Sequence, residues 1–298
     1  MSSSTIRNAA HGEISVGTVL TWTKRYTDEE VRAFRALSGA AQDAPPPAHL
    51  PYLMAVAPLT KLGGDLDYLS RRMAWTSRRP IGRDETLTAE LRVTRLEPAG
   101  AGAPLTRIAF DARVRCGDED EPVISGGSTG LVVDRTALGG PSAGAPSVGA
   151  LSVGRPAPVV PPSASAEEEG AAALLTRTAT AVFTTEDIDT CARLTGDLGA
   201  HHMTGDRRMT QGVLTLTAVP LLADPGAHVR ELALAFLAPV HAGDAVTATV
   251  RLAEAAGAGA GLPAGRSAFG CGISVAGAGG GPVLTGTGVV ELPARDLP

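Results

Sequence analysis

Residues 26–40 (YTDEEVRAFRALSGA) and residues 183–197 (FTTEDIDTCARLTGD) align without a gap. A chain that repeats itself is restricted to folds assembled from two like units. Further pairs carry the same message. Residues 80–91 (PIGRDETLTAEL) align with residues 239–250 (PVHAGDAVTATV), matching Thr88 to Thr247 and Ala89 to Ala248 and pairing Leu87 with Val246. Arg107, Ala109 and Phe110 match Arg266, Ala268 and Phe269, and PVISG from Pro122 returns as PVLTG from Pro282. The offsets of the first two pairs are 157 and 159 residues, which implies two copies of one domain. The copies differ at their last column, where Ala40 stands against Asp197, and His202 follows five positions later. Only the second copy carries groups there that exchange a proton.

Composition narrows the setting. With 44% hydrophobic residues, a net charge of −5 and no apolar run near the ~20 residues that span a bilayer, no transmembrane segment is expected. The first twenty residues have no basic stretch followed by an apolar core, so no secretory signal is expected either. Cys116, Cys191 and Cys271 are odd in number and scattered, as suits reduced thiols in a cytoplasm, and show no metal-ligand spacing. The acidic balance argues against nucleic acid as the partner.

Each half reads as a strand, a short helix, a polar loop, an apolar helix and several strands. In the short helices Val31, Phe34 and Leu37, and Ile188, Cys191 and Leu194, recur at helical spacing behind the N-caps Thr27 and Thr184. Acidic residues follow each cap, where the helix dipole favours them. The apolar segments 52–62 and 213–222 are hydrophobic around nearly their whole circumference and are expected to be buried helices, each kinked at a proline, Pro58 and Pro220. Segments such as TLTAELRV from Thr86 and AVTATVRL from Ala245 alternate as antiparallel strands with one apolar face. The run 276–281 reads as a hairpin turn. Residues 137–170, dominated by Ala, Gly, Pro and Ser, read as a linker between an N-terminal unit, 1–136, and a C-terminal unit, 171–298.

A buried helix wrapped by antiparallel sheet, present twice, resembles the double hotdog fold, an α+β architecture, and the sequence is similar to the MaoC-like hydratases and dehydratases. In that family the short helix is followed by Gly-Asp-x-Asn-Pro-aliphatic-His. The corresponding residues here are Gly196, Asp197, Leu198, Gly199, Ala200, His201 and His202, with Asp and His kept at the same interval. Gly199 and Ala200 replace the Asn and Pro, and His201 takes the aliphatic slot. The resemblance implies that Asp197 and His202 are catalytic and that the Gly212 amide, at the start of the apolar helix, resembles an oxyanion hole.

The chemistry of that loop has its own logic. Residues five apart on an unbroken helix point about 140° away from each other, so Asp197 and His202 converge only where the helix stops. Gly196 and Gly199 provide the places to leave helical geometry. A neutral His202 then takes a proton from a water that attacks the β-carbon of an enoyl thioester, while Asp197 orients the water or handles the α-carbon proton. The bland alternative is a pair of ordinary polar loop residues. Gln211, His201, Arg207 and Arg208 are further candidates for substrate contact. Arg71, Arg72, Arg78, Arg79 and Arg83 cluster near one strand and suit the phosphates of coenzyme A, the acidic surface of a carrier protein, or a solvated edge strand.

Two motif matches are set aside. Gly126-Gly-Ser128-Thr-Gly130 fits the nucleophile-elbow pattern, but no helix follows it. The dinucleotide-like loop around Gly259 and Gly261 carries Pro263 and opens no helix. The expectation is therefore an acyl-thioester hydratase or dehydratase with a catalytic C-terminal half and an N-terminal half that shapes the acyl pocket. No cofactor beyond coenzyme A or a carrier protein as part of the substrate is expected, nor a metal. A hotdog thioesterase and a non-catalytic acyl-binding subunit are the alternatives. Oligomeric state is open, a homodimer included.

Overall fold

The computed structural model describes residues 6–8, 12–39, 66–82, 85–100, 105–134, 175–220, 226–254 and 265–293. The expected linker 137–170, the first apolar segment with Pro58, Ala40, Arg83 and the Gly259 loop lie outside the described residues. The strands are β1 (Ile6–Asn8), β2 (Gly12–Ile14), β3 (Val19–Arg25), β4 (Leu66–Ser77), β5 (Thr86–Pro98), β6 (Leu105–Cys116), β7 (Ile124–Asp134), β8 (Leu175–Val182), β9 (His228–Phe236), β10 (Ala245–Glu254), β11 (Arg266–Gly277) and β12 (Pro282–Pro293). The helices are α1 (Asp28–Ser38), α2 (Thr185–Thr195), α3 (Ala200–Met203) and α4 (Gly212–Leu216). β1 and β2 form a separate hairpin.

The ten remaining strands make one antiparallel sheet in the order β3-β5-β6-β7-β4-β9-β12-β11-β10-β8. Read from either edge, the order of repeat-equivalent strands is the same, so the duplication becomes a pseudo-twofold sheet whose centre is the β4–β9 pair. Equivalent threonine pairs brace both edges: Thr23 and Thr88 hydroxyls lie 3.0 Å apart, and Thr180 and Thr247 hydroxyls 3.2 Å apart. Alternation decides the inner face, with Leu87, Ala89, Leu91 and Val93 buried on β5 and Val246, Ala248, Val250 and Leu252 on β10. A bulge between Val93 and Arg95 shifts the phase, which is why Leu96 is the next buried residue.

α1 and α2 form for the same reasons. Thr27 and Thr184 each accept a hydrogen bond from the N3 amide, and Glu30 and Asp187 complete the capping boxes. Such caps contribute about 1 kcal/mol each. Gly39 and Gly196 end the helices in the left-handed conformation, at φ 67° and 72°. Val31 and Phe34 are buried on α1, and Ile188, Cys191 and Leu194 on α2. Leu37, expected on the same face, is only half-buried.

The second apolar segment departs from expectation. Its α-helical part is only Gly212–Leu216, after which Thr217, Ala218 and Val219 amides bond three residues back, to Leu214, Thr215 and Leu216 carbonyls. Two physical causes converge there. Thr217 Oγ1 donates to Leu214 O at 2.7 Å, competing with the helical ladder, and Pro220 has no amide to continue it. The segment is nonetheless buried from Val213 to Val219, as its apolar circumference requires.

At the central seam, Met73 faces Leu234 and Trp75 faces Leu232 across β4 and β9, all four buried. Beside them sits a polar cluster that joins both halves. His228 Nδ1 donates to Glu291 Oε2 at 3.2 Å, and its Nε2 lies 3.1 Å from Ser77 Oγ. Arg266 and Arg230 also reach Glu291, at 3.3 and 3.5 Å. Burial holds the His228 pKa below its ordinary 6.5; Glu291 pulls the other way, but the two arginines already neutralise that carboxylate. The unfolded chain therefore binds the extra proton first, so this contribution to stability is complete above about pH 6.5 and declines as pH falls below it. Urea titrations at about pH 7 and about pH 5 are expected to show a smaller loss of stability in His228→Gln than in the parent. An equal loss in both would remove His228 as the source.

Candidate functional site

The Asp197 loop is set by what ends α2. Thr195 Oγ1 donates to Cys191 O at 2.8 Å and accepts the Asp197 amide at 3.1 Å, while Gly196 turns the chain. Gly199 then starts α3, a single turn not expected from the sequence, whose His202 and Met203 amides bond Gly199 O. This stop-and-restart brings Asp197 and His202 together: His202 Nε2 lies 3.3 Å from Asp197 Oδ2, with side chains 5% and 13% exposed. His202 Nδ1 lies 2.7 Å from Met209 O. A carbonyl only accepts, so Nδ1 carries the hydrogen, and in a neutral ring the Nε2 lone pair faces the carboxylate. That arrangement leaves Nε2 and the carboxylate as two acceptors for the hydrogens of one water.

His201 lies against His202 with ring centroids 3.8 Å apart. Both line a cavity of about 110 Å³ together with Asp197, Thr195, Met209, Gln211 and Gly212. The opposite wall comes from the N-terminal half: Tyr68, Leu69, Ser70, Arg71 and Met73 of β4 and Leu131 of β7. Sequence periodicity identified none of these wall residues as site residues, although Arg71 was noted within the arginine cluster.

The other candidates fall into two groups. Gln211 and Gly212 line the cavity, but each also has structural work. Gln211 Nε2 donates to Ile188 O at 3.2 Å, tying α4 to α2, and a Cβ on Gly212 would stand 2.7 Å from the Phe236 ring. Close packing of that ring, rather than substrate approach alone, accounts for the glycine. No side chain caps α4, so its first amides have no intrahelical acceptor. Arg207 and Arg208 do not line the cavity. Arg207 is mostly exposed and pairs with Asp244 at 3.1 Å. Arg208 donates through Nε to His202 O at 2.6 Å and pairs with Asp189, whose carboxyl it holds below the usual range. It fastens the His202 turn to α2. Of the arginine cluster, Arg78 and Arg79 are spent on Glu119, with Arg79 also bonding Glu85 at 3.0 Å.

Ser128 lies within β7, where its hydroxyl bonds Arg72 O and the Tyr68 hydroxyl, both at 2.8 Å, consistent with its exclusion as an elbow nucleophile. Among the described residues no three His, Cys, Asp or Glu side chains converge on a metal position. No helix among them is long and apolar enough to cross a membrane.

No protein-family model and no curated protein matches the sequence. Solved structures do match. A protein from Chloroflexus aurantiacus provisionally named a MaoC domain dehydratase is similar at TM-score 0.67 and 15% identity, over 95% of this chain and 96% of that one. A conserved hypothetical protein from Mycobacterium tuberculosis, described as a double hotdog, is similar at TM-score 0.64 and 18% identity, over 94% and 97%. A protein from Lactobacillus plantarum provisionally named an oleoyl thioesterase follows at TM-score 0.57 and 11% identity, over 93% and 97%. With two α-helix and antiparallel-sheet units joined through β4 and β9, this chain has the double hotdog fold, which it shares with proteins named MaoC-like dehydratases.

Proposed function

We propose that the protein adds water to a 2-enoyl thioester of coenzyme A or a carrier protein, or removes it from the 3-hydroxyacyl product. The observation that carries this reading is the 3.3 Å approach of His202 Nε2 to Asp197 inside a cavity walled by both halves. A water hydrogen-bonded to both groups from the cavity side loses a proton to Nε2 as its oxygen bonds the β-carbon, and the Nδ1 hydrogen bond to Met209 O keeps the imidazole in the required tautomer. Charge developing on the thioester oxygen is met by the uncapped amides at Gly212 and Val213, and the proton is then delivered to the α-carbon. In this reading the C-terminal half carries the chemistry and the N-terminal half shapes the acyl pocket.

A thioesterase is the second reading, favoured by the structural neighbour named as one and by the replacement of the Asn-Pro step with Gly199 and Ala200. The two readings separate on a pair of substrates of equal chain length. With a trans-2-enoyl-CoA, loss of the conjugated absorbance without thiol release is expected. Free thiol released from the saturated acyl-CoA would establish hydrolysis instead, and no turnover of either would favour an acyl-binding subunit.

A further inference from the structure

We infer that the acyl group taken into this cavity carries a carboxylate of its own, held by Arg71; the inference rests on the acyl-thioester reading above. The β4–β7 register runs Ser70 to Gly130 and then Arg72 to Thr129, so Arg71 is the extra residue of a β-bulge. A bulge re-aims a side chain that strict alternation would place elsewhere. Here it puts Arg71, a half-buried residue, on the wall of the cavity that holds Asp197 and His202.

Three other arginines are spent on carboxylates: Arg79 on Glu85 and Glu119, Arg207 on Asp244, Arg208 on Asp189. Arg71 has no acidic partner among the described residues, and the one carboxylate sharing its cavity, Asp197, faces His202. Leu69, Met73, Leu131, Val213 and Phe236 make much of the remaining lining apolar. A cation partly withdrawn from water in such surroundings is destabilised until an anion reaches it, and a guanidinium is shaped for two-point binding of a carboxylate. A purely hydrocarbon acyl chain would leave that cost in place, so Arg71 discriminates against it.

Position limits where the anion comes from. Arg71 lines the same cavity as Asp197 and His202, so an anion that reaches it lies close to the reacting carbons, as the terminal carboxylate of a short acyl group does. The other source of an anion on such a substrate is a phosphate of the pantetheine arm, and the test distinguishes the two.

Binding of a four-carbon saturated acyl-CoA with a terminal carboxylate is compared by calorimetry with its uncharged counterpart, using the parent, Arg71→Gln and Arg71→Lys. Neither ligand can be hydrated, and a thiol assay run alongside excludes hydrolysis, so the readout is binding and not turnover. Arg71→Gln is expected to weaken the carboxylated ligand about 10- to 100-fold and the uncharged one less than about threefold, with partial recovery in Arg71→Lys. The same selective loss is expected with the carboxylated acyl-pantetheine, which lacks phosphate. Equal weakening of both CoA ligands, disappearance of the effect in the phosphate-free ligand, or no binding of the carboxylated ligand to the parent would overturn the inference. Selective binding that persists while no enoyl thioester is turned over would retain Arg71 as a carboxylate site and reject the hydratase reading.

Discussion

Asp197→Asn is expected to lower kcat about a thousandfold while leaving KM within a few-fold of the parent, because proton transfer by a positioned group typically contributes 10²–10⁴. Asparagine keeps the shape of the side chain that packs 13% exposed beside His202, but it neither accepts a proton nor holds the negative charge facing Nε2. His202→Ala should be equally damaging. Its interpretation is less direct, since it also removes the bond from Nδ1 to Met209 O that closes the α3 turn. Steady-state kinetics on a 2-enoyl-CoA, with circular dichroism to confirm folding, is the measurement. Activity within about threefold of the parent in both variants would make the pair a bystander and reject the mechanism.

The largest expected effect on stability lies outside the site. Gly126 on β7 has Ala74 O of β4 only 2.0 Å from where a Cβ would be, with the Trp75 Cα at 2.9 Å, and Gly286 on β12 has Ala233 O of β9 at 2.6 Å. The two glycines are equivalent in the repeat and flank the two central strands. In each case a backbone carbonyl is among the obstacles, beside the Trp75 ring at Gly126 and the Leu234 side chain at Gly286, so relief requires the strand pair to open and not only a side chain to turn. Gly126→Ala is expected to cost about 3 kcal/mol, near the upper end for overpacking, and Gly286→Ala somewhat less. Urea unfolding monitored by tryptophan fluorescence would report it. A loss below about 1 kcal/mol for Gly126→Ala would mean that the β4–β7 ladder shifts freely.

Local features were legible because their causes are local. Thr27 and Thr184 cap α1 and α2 through contacts three residues away, and Gly196 ends α2 at its own φ. Alternation on β5 and β10 places the inner face until the bulge near Val93, which no pattern in the segment announces. α4 is shorter than its apolar run for a physical reason. Its apolar circumference says that it is buried, but not that Thr217 back-bonding and Pro220 convert its end to three-residue turns.

The site divides in the same way. Gly196, Asp197, Gly199 and His202 lie within seven consecutive residues, so their spacing and the two glycines carried the possibility of convergence. Arg71, Tyr68 and Met73, more than a hundred residues away in the other half, had no such signal. The His228, Glu291 and Ser77 cluster likewise draws on strands β9, β12 and β4, and no spacing announced it.

By itself the sequence determined the duplication, the capped short helices, the apolar strand faces and the placement of Asp197 and His202 just beyond the second short helix, where Ala40 and Pro45 stand in the first copy, because each depends on neighbours along the chain. Only the tertiary structure decided that β4 would pair with β9, that a bulge would turn Arg71 toward the Asp197 cavity, and that Arg208 would bond the His202 carbonyl. Those outcomes depend on strand register and on contacts between distant segments. A one-residue change of register sends a side chain to the opposite face of a sheet, and composition and periodicity do not record which register is adopted.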